Sequence, residues 1–457
     1  MLDIFQTIIV SIISLSILII VHEYGHFIVA RSCGVFIESF SIGFGKTLMS
    51  WYDSYGTHYM ICIFPLGGYV KMLNTTSDSN IKTNLQSLKS FNDQSLLHRA
   101  AIISAGPMAN FILAIICYWV IFIYGITNIK PIIYEVRKGS IAFQSGIKKN
   151  MELKSIADVN TYNWNDVRMA LLTQIGNRNI PVTLVPFNQL SNQKIVKSID
   201  LHHWHLDPYI QQDPIMVFGI HPYPLPNEFI LERISSDSIA SKIGLHSGDK
   251  ILKVNGQPLK NWSDLMISLC NNFNHTIQLM IKRKSKILSV YFTPNGKKEK
   301  CFFGGIIHHI SLDNKFKNQQ KYNPITAFLM AERKTWQLSK LTFRILKKII
   351  MGKLSLNILS GPISIAQGAI ISVKQGFLPY LMFLALISIN LGIMNLLPLP
   401  ILDGGHLLFI LFEIVKGDSI SVKFKEISFN ISIILLILLM IITIFNDFSR
   451  ILVSLIY

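Results

Sequence analysis

Long apolar segments alternate with polar ones along the chain. Phe5 to Val21 contains no charged residue, and similar runs extend from about Ala100 to Ile126, from Gly376 to Leu402 and from Ile427 to Ile444. A helix of about 17 to 25 residues crosses the hydrocarbon core of a bilayer. The pattern therefore predicts four transmembrane helices.

Two short runs between the first and second spans are rich in aromatic and β-branched residues, Val35 to Phe44 and Tyr59 to Phe64. Glycine turns close both runs, which is typical of a β-hairpin. We predict a hairpin beside the first span, whose strand edge could bind an extended peptide, although an ordinary surface hairpin fits the pattern equally well. The turn glycines are Gly43, Gly45, Gly67 and Gly68.

A repeated pattern occupies the polar segment between the second and third spans. Ser238 to Gly256 is typical of a short helix, a glycine turn, a strand and an Asn-Gly turn, and Gly139 to Leu153 looks like a degraded copy. Phe218 to Ile220 and Gly304 to Ile306 are predicted to be corresponding strands that close the two copies. The segment is therefore predicted to contain two α+β units.

The segment from Ala327 to Met351 has apolar residues at helical spacing with lysines and arginines among them. It predicts an amphipathic helix at the membrane surface, and a soluble packing helix is the alternative. The chain is thereby divided into a first membrane half, two α+β units, a linker with this helix, and a second membrane half. These parts are residues 1–126, 127–221, 222–310, 311–374 and 375–457.

Composition places the chain among membrane proteins. Half of its 457 residues are hydrophobic and the mean hydropathy is +0.41, which is too apolar for an ordinary soluble protein. The formal charge of +17 is scattered along the chain instead of forming blocks. This distribution favours membrane-flanking charge over nucleic-acid binding.

Charge also predicts orientation. The segment from Arg31 to Arg99 has six basic residues against four acidic ones, and no Lys or Arg precedes the first span. The positive-inside rule places this segment in the cytoplasm, and the N-terminus, the two α+β units and the C-terminus on the other side. Because Asp3 and no basic residue opens the chain, we expect the first span to be retained and not cleaved as a signal peptide.

The cysteines and one histidine cluster give weaker signals. The five cysteines form no C-x-x-C pair, and a bond between Cys270 and Cys301, which share an α+β unit, is left open. His202-His203-x-His205 is similar to a metal motif. Alternation along a predicted strand would point these side chains to both faces, so we expect no metal site there.

Candidate chemistry is concentrated at His22-Glu23-Tyr24-Gly25-His26, near the end of the first span. Residues four apart lie on one face of a helix, so both histidines can bind one zinc ion. Glu23 suits a general base that takes a proton from a metal-activated water. Ionisable groups at bilayer depth are costly and usually functional, although pairing with polar neighbours is the simpler structural alternative.

A catalytic zinc site needs a third protein ligand. Asp403 meets that need, in a segment where Pro398 and Pro400 interrupt the third span, and His406 is the competing ligand. Asn395, earlier in the same segment, can donate a hydrogen bond to a substrate backbone or a developing oxyanion. Asn110 in the second span is expected mainly to pack and is a weaker candidate.

The motifs His22-Glu23-x-x-His26 and Asn395-x-x-Pro398-x-Pro-x-Leu-Asp403-Gly404, the hairpin and the tandem units occur together. This combination resembles the site-2 intramembrane zinc metalloproteases, specifically the bacterial regulator-of-sigma-E protease family, over nearly the whole chain. The resemblance implies a polytopic α-helical membrane protein with four transmembrane helices, a membrane-associated, re-entrant β-hairpin and two PDZ-like α+β domains. It also implies the bacterial inner membrane, with the PDZ-like domains in the periplasm.

The resemblance further implies Zn²⁺ bound by His22, His26 and Asp403, catalysis by Glu23, and substrate binding by Asn395 and the hairpin glycines. The implied substrates are transmembrane segments of single-span proteins, either trimmed anti-sigma factors or remnant signal peptides, in the envelope stress response. Peptide C-termini or extended segments are expected at the PDZ-like domains, with a purely architectural spacer as the alternative, and no nucleic acid is expected. The first unit departs from the family's Gly-Leu-x-x-Gly-Asp turn, which weakens this expectation for that unit.

Two other classes fit part of the sequence. A non-catalytic membrane scaffold with PDZ-like domains explains the later spans and the tandem units, but it leaves His22, Glu23, His26 and Asp403 without a role. A metal-ion transporter would use the same ligands for passage of the ion. It should tolerate Glu23→Gln, whereas a protease should not.

Overall fold

The computed structural model describes residues 2–73, 89–187, 193–202, 204, 213–222, 229–234, 239–258, 275–293, 305–307, 316–418 and 420–456. The chain divides into two compact units. One contains Met1–Ile126 and Gln319–Asp447, and the other contains Thr127–Asn318 and Phe448–Tyr457.

The helices of the described residues are α1 Leu2–Ser32, α2 Leu96–Tyr124, α3 Ile141–Gln144, α4 Trp164–Gln174, α5 Pro214–Phe218, α6 Ile239–Lys242, α7 Pro324–Ile350, α8 Pro362–Gln375, α9 Phe377–Asn395, α10 Asp403–Lys416 and α11 Val422–Ile456. The strands are β1 Ile37–Tyr52, β2 His58–Met72, β3 Ile126–Ile129, β4 Glu135–Val136, β5 Met151–Ile156, β6 Val159–Asn160, β7 Ile180–Pro186, β8 Ile195–Ile199, β9 Ile220–His221, β10 Phe229–Ile234, β11 Lys250–Val254, β12 Gln257–Pro258, β13 Ile277–Arg283, β14 Lys286–Phe292, β15 Gly305–Ile307 and β16 Lys317–Gln320.

Four helices in the described part of the chain are long and apolar enough to cross a membrane. They are Phe5–Ser32 of α1, Leu96–Tyr124 of α2, Phe377–Asn395 of α9 and Val422–Arg450 of α11. A helix satisfies its own backbone hydrogen bonds, which is why apolar runs of this length adopt it in lipid. The four predicted spans are confirmed, and the chain is a membrane protein.

The third span ends earlier than predicted. α9 ends at Asn395, and residues 396–402 form turns and bends, because Pro398 and Pro400 cannot continue a regular helix. The expectation that this span reaches Leu402 is therefore wrong. A separate helix that the sequence pattern did not predict, α10, begins at Asp403.

The predicted hairpin is present as the antiparallel pair β1 and β2, and it is longer than the runs that predicted it. At its base, Ile37 and Phe40 are buried in a cluster with Phe27 of α1. Farther along β1, Gly43 and Gly45 have φ angles of 91° and 90°, where the register of the two strands shifts. Glycine adopts this left-handed region without steric cost, and such a bulge bends a strand.

The predicted amphipathic helix is α7, and its residues divide into three faces. Asn323 caps it by accepting a hydrogen bond from the Thr326 backbone N–H at 2.8 Å. The buried face contains Ala327, Ala331, Thr335, Leu338 and Leu341. An exposed apolar face contains Phe328, Trp336, Phe343 and Ile350. By helical spacing, the remaining side is basic and contains Arg333, Lys340, Arg344 and Lys347.

The second compact unit contains the predicted repeat. The first copy runs in the order β4, α3, β5, β6, α4, β7, β8, α5 and β9. In the described part of the second copy, β10, α6, β11, β12, β13, β14 and β15 occur in the same order. The pairing also corresponds, because β5 pairs with β6 and β7 as β11 pairs with β12 and β13. The closing strand of each copy pairs with its first strand, β9 with β4 and β15 with β10. β9 begins at Ile220, so the predicted strand start at Phe218 is wrong, because Phe218 ends α5 and Gly219 caps that helix with a φ of 100°. Gly304 lies outside the described residues.

Few of the weaker sequence signals fall on described residues. His202 lies in a turn after β8, so the predicted strand position of this histidine is wrong. Cys33, Cys62 and Cys117 are free cysteines. The remaining residues of these signals lie outside the described ones, and they are His203, His205, Cys270 and Cys301.

Candidate metal centre

Two histidines of α1 point their imidazole rings into one space. His22 and His26 lie one turn apart, with ring centroids 4.9 Å apart in an edge-to-face arrangement. Their Nε2 atoms are 3.3 Å apart, and their side chains are 10% and 12% exposed. Two Nε2 atoms therefore face one largely buried space within a membrane-spanning helix.

Asp403, the first residue of α10, brings an oxygen to the same space. Its Oδ2 atom is 3.2 Å from His22 Nε2 and 3.5 Å from His26 Nε2. Metal–ligand bonds of about 2.0 to 2.1 Å at tetrahedral angles place neighbouring ligand atoms about 3.3 to 3.4 Å apart. The three donor atoms therefore have the spacing that one tetrahedral zinc ion requires.

The competing ligand His406 lies farther along α10 and outside this cluster. Its ring packs edge-on against Phe409, with centroids 6.4 Å apart. It also lines a cavity of about 520 Å³ together with Arg99 and Lys425. Of the two candidate third ligands, the structure thus brings Asp403 and not His406 to the histidines.

Small residues let α2 approach the histidines closely. A Cβ atom added at Gly25 of α1 would lie 2.7 Å from the Ala109 side chain of α2. A Cβ atom added at Gly106 would overlap His26 Nε2 and lie 2.8 Å from His22 Cε1. From the sequence this part of α2 is expected mainly to pack, but the absent side chain at Gly106 leaves the space that both rings occupy.

The second nitrogen of each ring also has a partner on α2. His26 Nδ1 is 2.8 Å from the Ile102 backbone carbonyl. His22 Nδ1 is 3.0 Å from Asn110 Nδ2, so this weak sequence candidate contacts a candidate ligand. Such partners fix the tautomer and orientation of a metal-binding histidine.

Glu23 lies between the histidines and the hairpin. The Val70 backbone hydrogen-bonds its carboxylate. A Cβ atom added at Gly68 would lie 3.4 Å from Glu23 Cγ and 2.8 Å from the Ser41 carbonyl oxygen. Gly68 therefore gives β2 close access to Glu23.

The other predicted substrate-binding residues occupy two places. Asn395, at the end of α9, has its Nδ2 atom 3.5 Å from His22 Nε2, so its amide borders the metal cluster. Gly67 faces the ring of Phe44, which an added Cβ atom would overlap. Gly43 and Gly45 form the bulge of β1 described above.

A buried charge network that the sequence analysis missed holds α10 in place. Glu413 of α10 is 8% exposed, and its two carboxylate oxygens lie 3.0 Å from Arg99 Nη1 and 3.2 Å from Lys425 Nζ. These residues join α10 to α2 and α11. In the sequence they look like ordinary membrane-flanking charges, and only the tertiary structure shows that they help to position the helix that begins with Asp403.

Known proteins resemble this chain over nearly its whole length. Residues 10–439 match the sequence pattern of peptidase family M50. A protein of Salmonella typhi named "Regulator of sigma E protease" is 47% identical, covering 98% of this chain and 100% of the relative. "Protease RseP" of Yersinia pestis is 45% identical with the same coverage, and a "Putative zinc metalloprotease" of Vibrio cholerae is 38% identical, also covering 98% and 100%.

The metal cluster and the membrane helices agree with these similarities. Three donor atoms at tetrahedral spacing fit zinc, and His22 and His26 belong to a helix long enough to cross a bilayer. The chain therefore belongs to peptidase family M50 and is a zinc metalloprotease of the membrane.

Proposed function

We propose that this enzyme hydrolyses peptide bonds within the transmembrane segments of single-span membrane proteins, either trimmed anti-sigma factors or remnant signal peptides, in envelope-stress regulated proteolysis. One observation carries the proposal: the cluster of His22, His26 and Asp403 lies among membrane helices, with Glu23 and a strand of the hairpin beside it. Relatives named as regulators of sigma E favour the anti-sigma class.

In this proposal His22, His26 and Asp403 hold the zinc ion. Zinc at such a site supplies a Lewis acid and lowers the pKa of a coordinated water to about 7. Glu23 accepts the proton of the attacking water and passes it to the leaving amine nitrogen. The hydrogen bond from the Val70 backbone ties the Glu23 carboxylate to β2 of the hairpin.

The substrate requires further groups, because a transmembrane helix has all of its carbonyls hydrogen-bonded. We propose that the hairpin binds the unwound segment as an added strand, which replaces the lost hydrogen bonds. Gly68 lets β2 pass close to Glu23, so that a substrate strand added to the hairpin would lie near the general base. The bulge at Gly43 and Gly45 would set the direction of the added strand. Asn395 then donates to the substrate backbone beside the metal.

We propose the bacterial inner membrane as the location, with the first polar loop in the cytoplasm and the repeated units in the periplasm, on the charge distribution given above. The three-faced α7 suits the membrane surface, with its apolar face in the acyl boundary and its basic face at the headgroups. Partial burial, Lys353 and Arg344 lower the pKa of Lys348 to about 8, and anionic headgroups would relieve this crowding of positive charge.

We also propose that the two repeated units are PDZ-like and that the second binds an extended peptide. In the second unit Gly248 has a φ of 92°, and the buried Asp249 accepts hydrogen bonds from Arg283 at 2.8 and 2.7 Å. In the first unit Asn150 has a φ of 60° at the corresponding position and is followed by Met151. The first turn therefore keeps the backbone conformation and loses the ion pair.

The deciding experiment compares Glu23→Gln with the unchanged chain in membranes that contain a tagged single-span substrate. We expect cleavage to be abolished while zinc content is largely retained, because the amide keeps the size of the side chain and cannot accept the proton. Glu38→Gln is the matched control, since Glu38 at the base of the hairpin pairs with the exposed Lys71 at 2.6 Å. Cleavage by Glu23→Gln would end the proposal, and metal passage by that variant would favour a transporter.

A further inference from the structure

Asn110 lies where a metal-binding histidine needs an orienting partner. Its side chain is fully buried, and its Nδ2 atom is 3.0 Å from Nδ1 of His22, the ring nitrogen that does not face Asp403. The Oδ1 atom of the same amide is also buried and has no hydrogen-bond partner within the described part of the chain. Asn110 thus combines a contact to the ring with an unsatisfied acceptor.

The position of the proton on the neutral His22 ring decides which atom of the Asn110 amide must face Nδ1. A histidine that binds a metal through Nε2 keeps its proton on Nδ1, and that N–H needs an acceptor. Rotation of the amide by 180° exchanges its nitrogen and oxygen, which have nearly the same shape. We propose that Asn110 is a positioning residue whose Oδ1 accepts the Nδ1–H of His22 and so keeps Nε2 directed at the metal. This inference rests on the proposed role of His22 as a zinc ligand.

The two histidines are held in different ways. His26 Nδ1 faces the Ile102 backbone carbonyl at 2.8 Å, which can only accept and therefore serves a single tautomer. The Asn110 amide can serve both tautomers of His22. Its Nδ2 donates to Nδ1 when the ring proton is on Nε2, and its Oδ1 accepts when the proton is on Nδ1.

The backbone of Asn110 is fixed independently of its side chain. Ser388 of α9 is also fully buried, and its hydroxyl donates to the Asn110 backbone carbonyl at 2.7 Å. Ser388→Ala removes this contact between α2 and α9 at the same depth and leaves the amide against His22 intact. It is therefore a matched control for loss of packing.

Two substitutions of Asn110 separate positioning from packing. Loss of a partner to a metal-binding histidine weakens metal binding by about 10- to 100-fold. We expect this loss for Asn110→Ala, while Asn110→Asp keeps an acceptor and binds zinc about 10-fold or more tighter than Asn110→Ala. A packing role predicts the opposite order, because a buried carboxylate without a partner is more costly than a small cavity.

The test uses the full chain purified in detergent, and it measures the zinc dissociation constant by competition with a chromophoric chelator. The absorption spectrum with cobalt(II) in place of zinc gives a second readout of ligand geometry. We expect Ser388→Ala to match the unchanged chain in both. The inference is wrong if Asn110→Ala binds zinc as the unchanged chain does, or if Asn110→Asp binds no better than Asn110→Ala.

A His22→Ala variant separates this inference from the proposed metal site. Loss of zinc in His22→Ala together with normal binding in Asn110→Ala overturns the inference alone. Normal zinc binding in His22→Ala overturns the proposed metal site as well.

Discussion

Replacing Gly106 by alanine should disable the metal centre without unfolding the protein. The added Cβ atom would overlap His26 Nε2 and lie 2.8 Å from His22 Cε1, where ordinary contact begins at 3.4 Å. The His22 ring must therefore move by about 0.6 Å, roughly three times the tolerance of about 0.2 Å on a metal–ligand distance. Separating the helices to absorb the shift would break the close contact of α1 with α2 at Gly25.

The stability terms for this substitution nearly cancel. Alanine is favoured over glycine inside a helix by about 1 kcal/mol, and overpacking costs about 1 to 3 kcal/mol. The net destabilisation is at most about 2 kcal/mol, small against a total stability of about 5 to 15 kcal/mol. We therefore expect a folded chain with zinc affinity reduced by about 10-fold or more, by analogy with the loss of a partner to a metal-binding histidine, and cleavage reduced in parallel.

The assay measures zinc retained by the purified full chain during chelator competition, together with cleavage of a tagged transmembrane substrate. Met108→Ala is the control, since Met108 lies two positions farther along α2 and is 48% exposed. Zinc affinity and cleavage should be unchanged in the control. A Gly106→Ala chain that binds zinc as tightly as the unchanged one would refute the packing argument.

Three further predictions concern other parts of the molecule. Asn395→Ala should lower cleavage by about 10²- to 10³-fold, the usual effect of removing one donor to a developing oxyanion, with zinc content unchanged; equal cleavage rates would contradict the role proposed for its amide. Glu413→Gln removes the charged partner of the largely buried Arg99 and should lower the melting temperature, since breaking a buried ion pair costs about 3 to 5 kcal/mol. A melting curve identical to that of the unchanged chain would count against the charge network. Burial alone would raise the pKa of Asp249, but hydrogen bonds from Arg283 and the His246 backbone hold that pKa below its usual range. The ionised Asp249 carboxylate therefore stabilises the folded chain above about pH 4, and this stabilisation is lost as the pH falls through the lowered pKa. Thermal melts of the full chain at neutral and acidic pH should show this loss, and Asp249→Asn should reduce it.

Several features of the site follow from local sequence alone. Lipid requires each spanning segment to satisfy its own backbone and to match the thickness of the bilayer, so apolar run length is enough to predict four helices. Helical geometry places His22 and His26 on one face whatever surrounds them. Asp403 was predicted from chemistry, because a catalytic zinc site needs a third ligand.

The repeat was also predictable, because its turns need particular residues. Gly248 and Asn150 have positive φ angles at corresponding turns, a conformation that glycine and asparagine tolerate best. The boundary of the third span was harder to predict. Pro398 and Pro400 indicate a break, but proline does not determine where the preceding helix ends or whether a new one begins.

Other features depend on contacts between distant segments, and the tertiary structure alone decided them. The apolar sequence of α2 does not indicate which side of the helix faces α1. In the folded chain, Gly106 on that side contacts both imidazoles, and Asn110 contacts His22, which is 88 residues away in sequence. In the same way, the register of the hairpin brings Gly68 to Glu23. Sequence periodicity describes each element by itself, whereas the packing of one surface on another determines which atoms meet. The sequence by itself therefore determined the candidate metal-binding groups of α1, and only the folded chain determined which groups contact them.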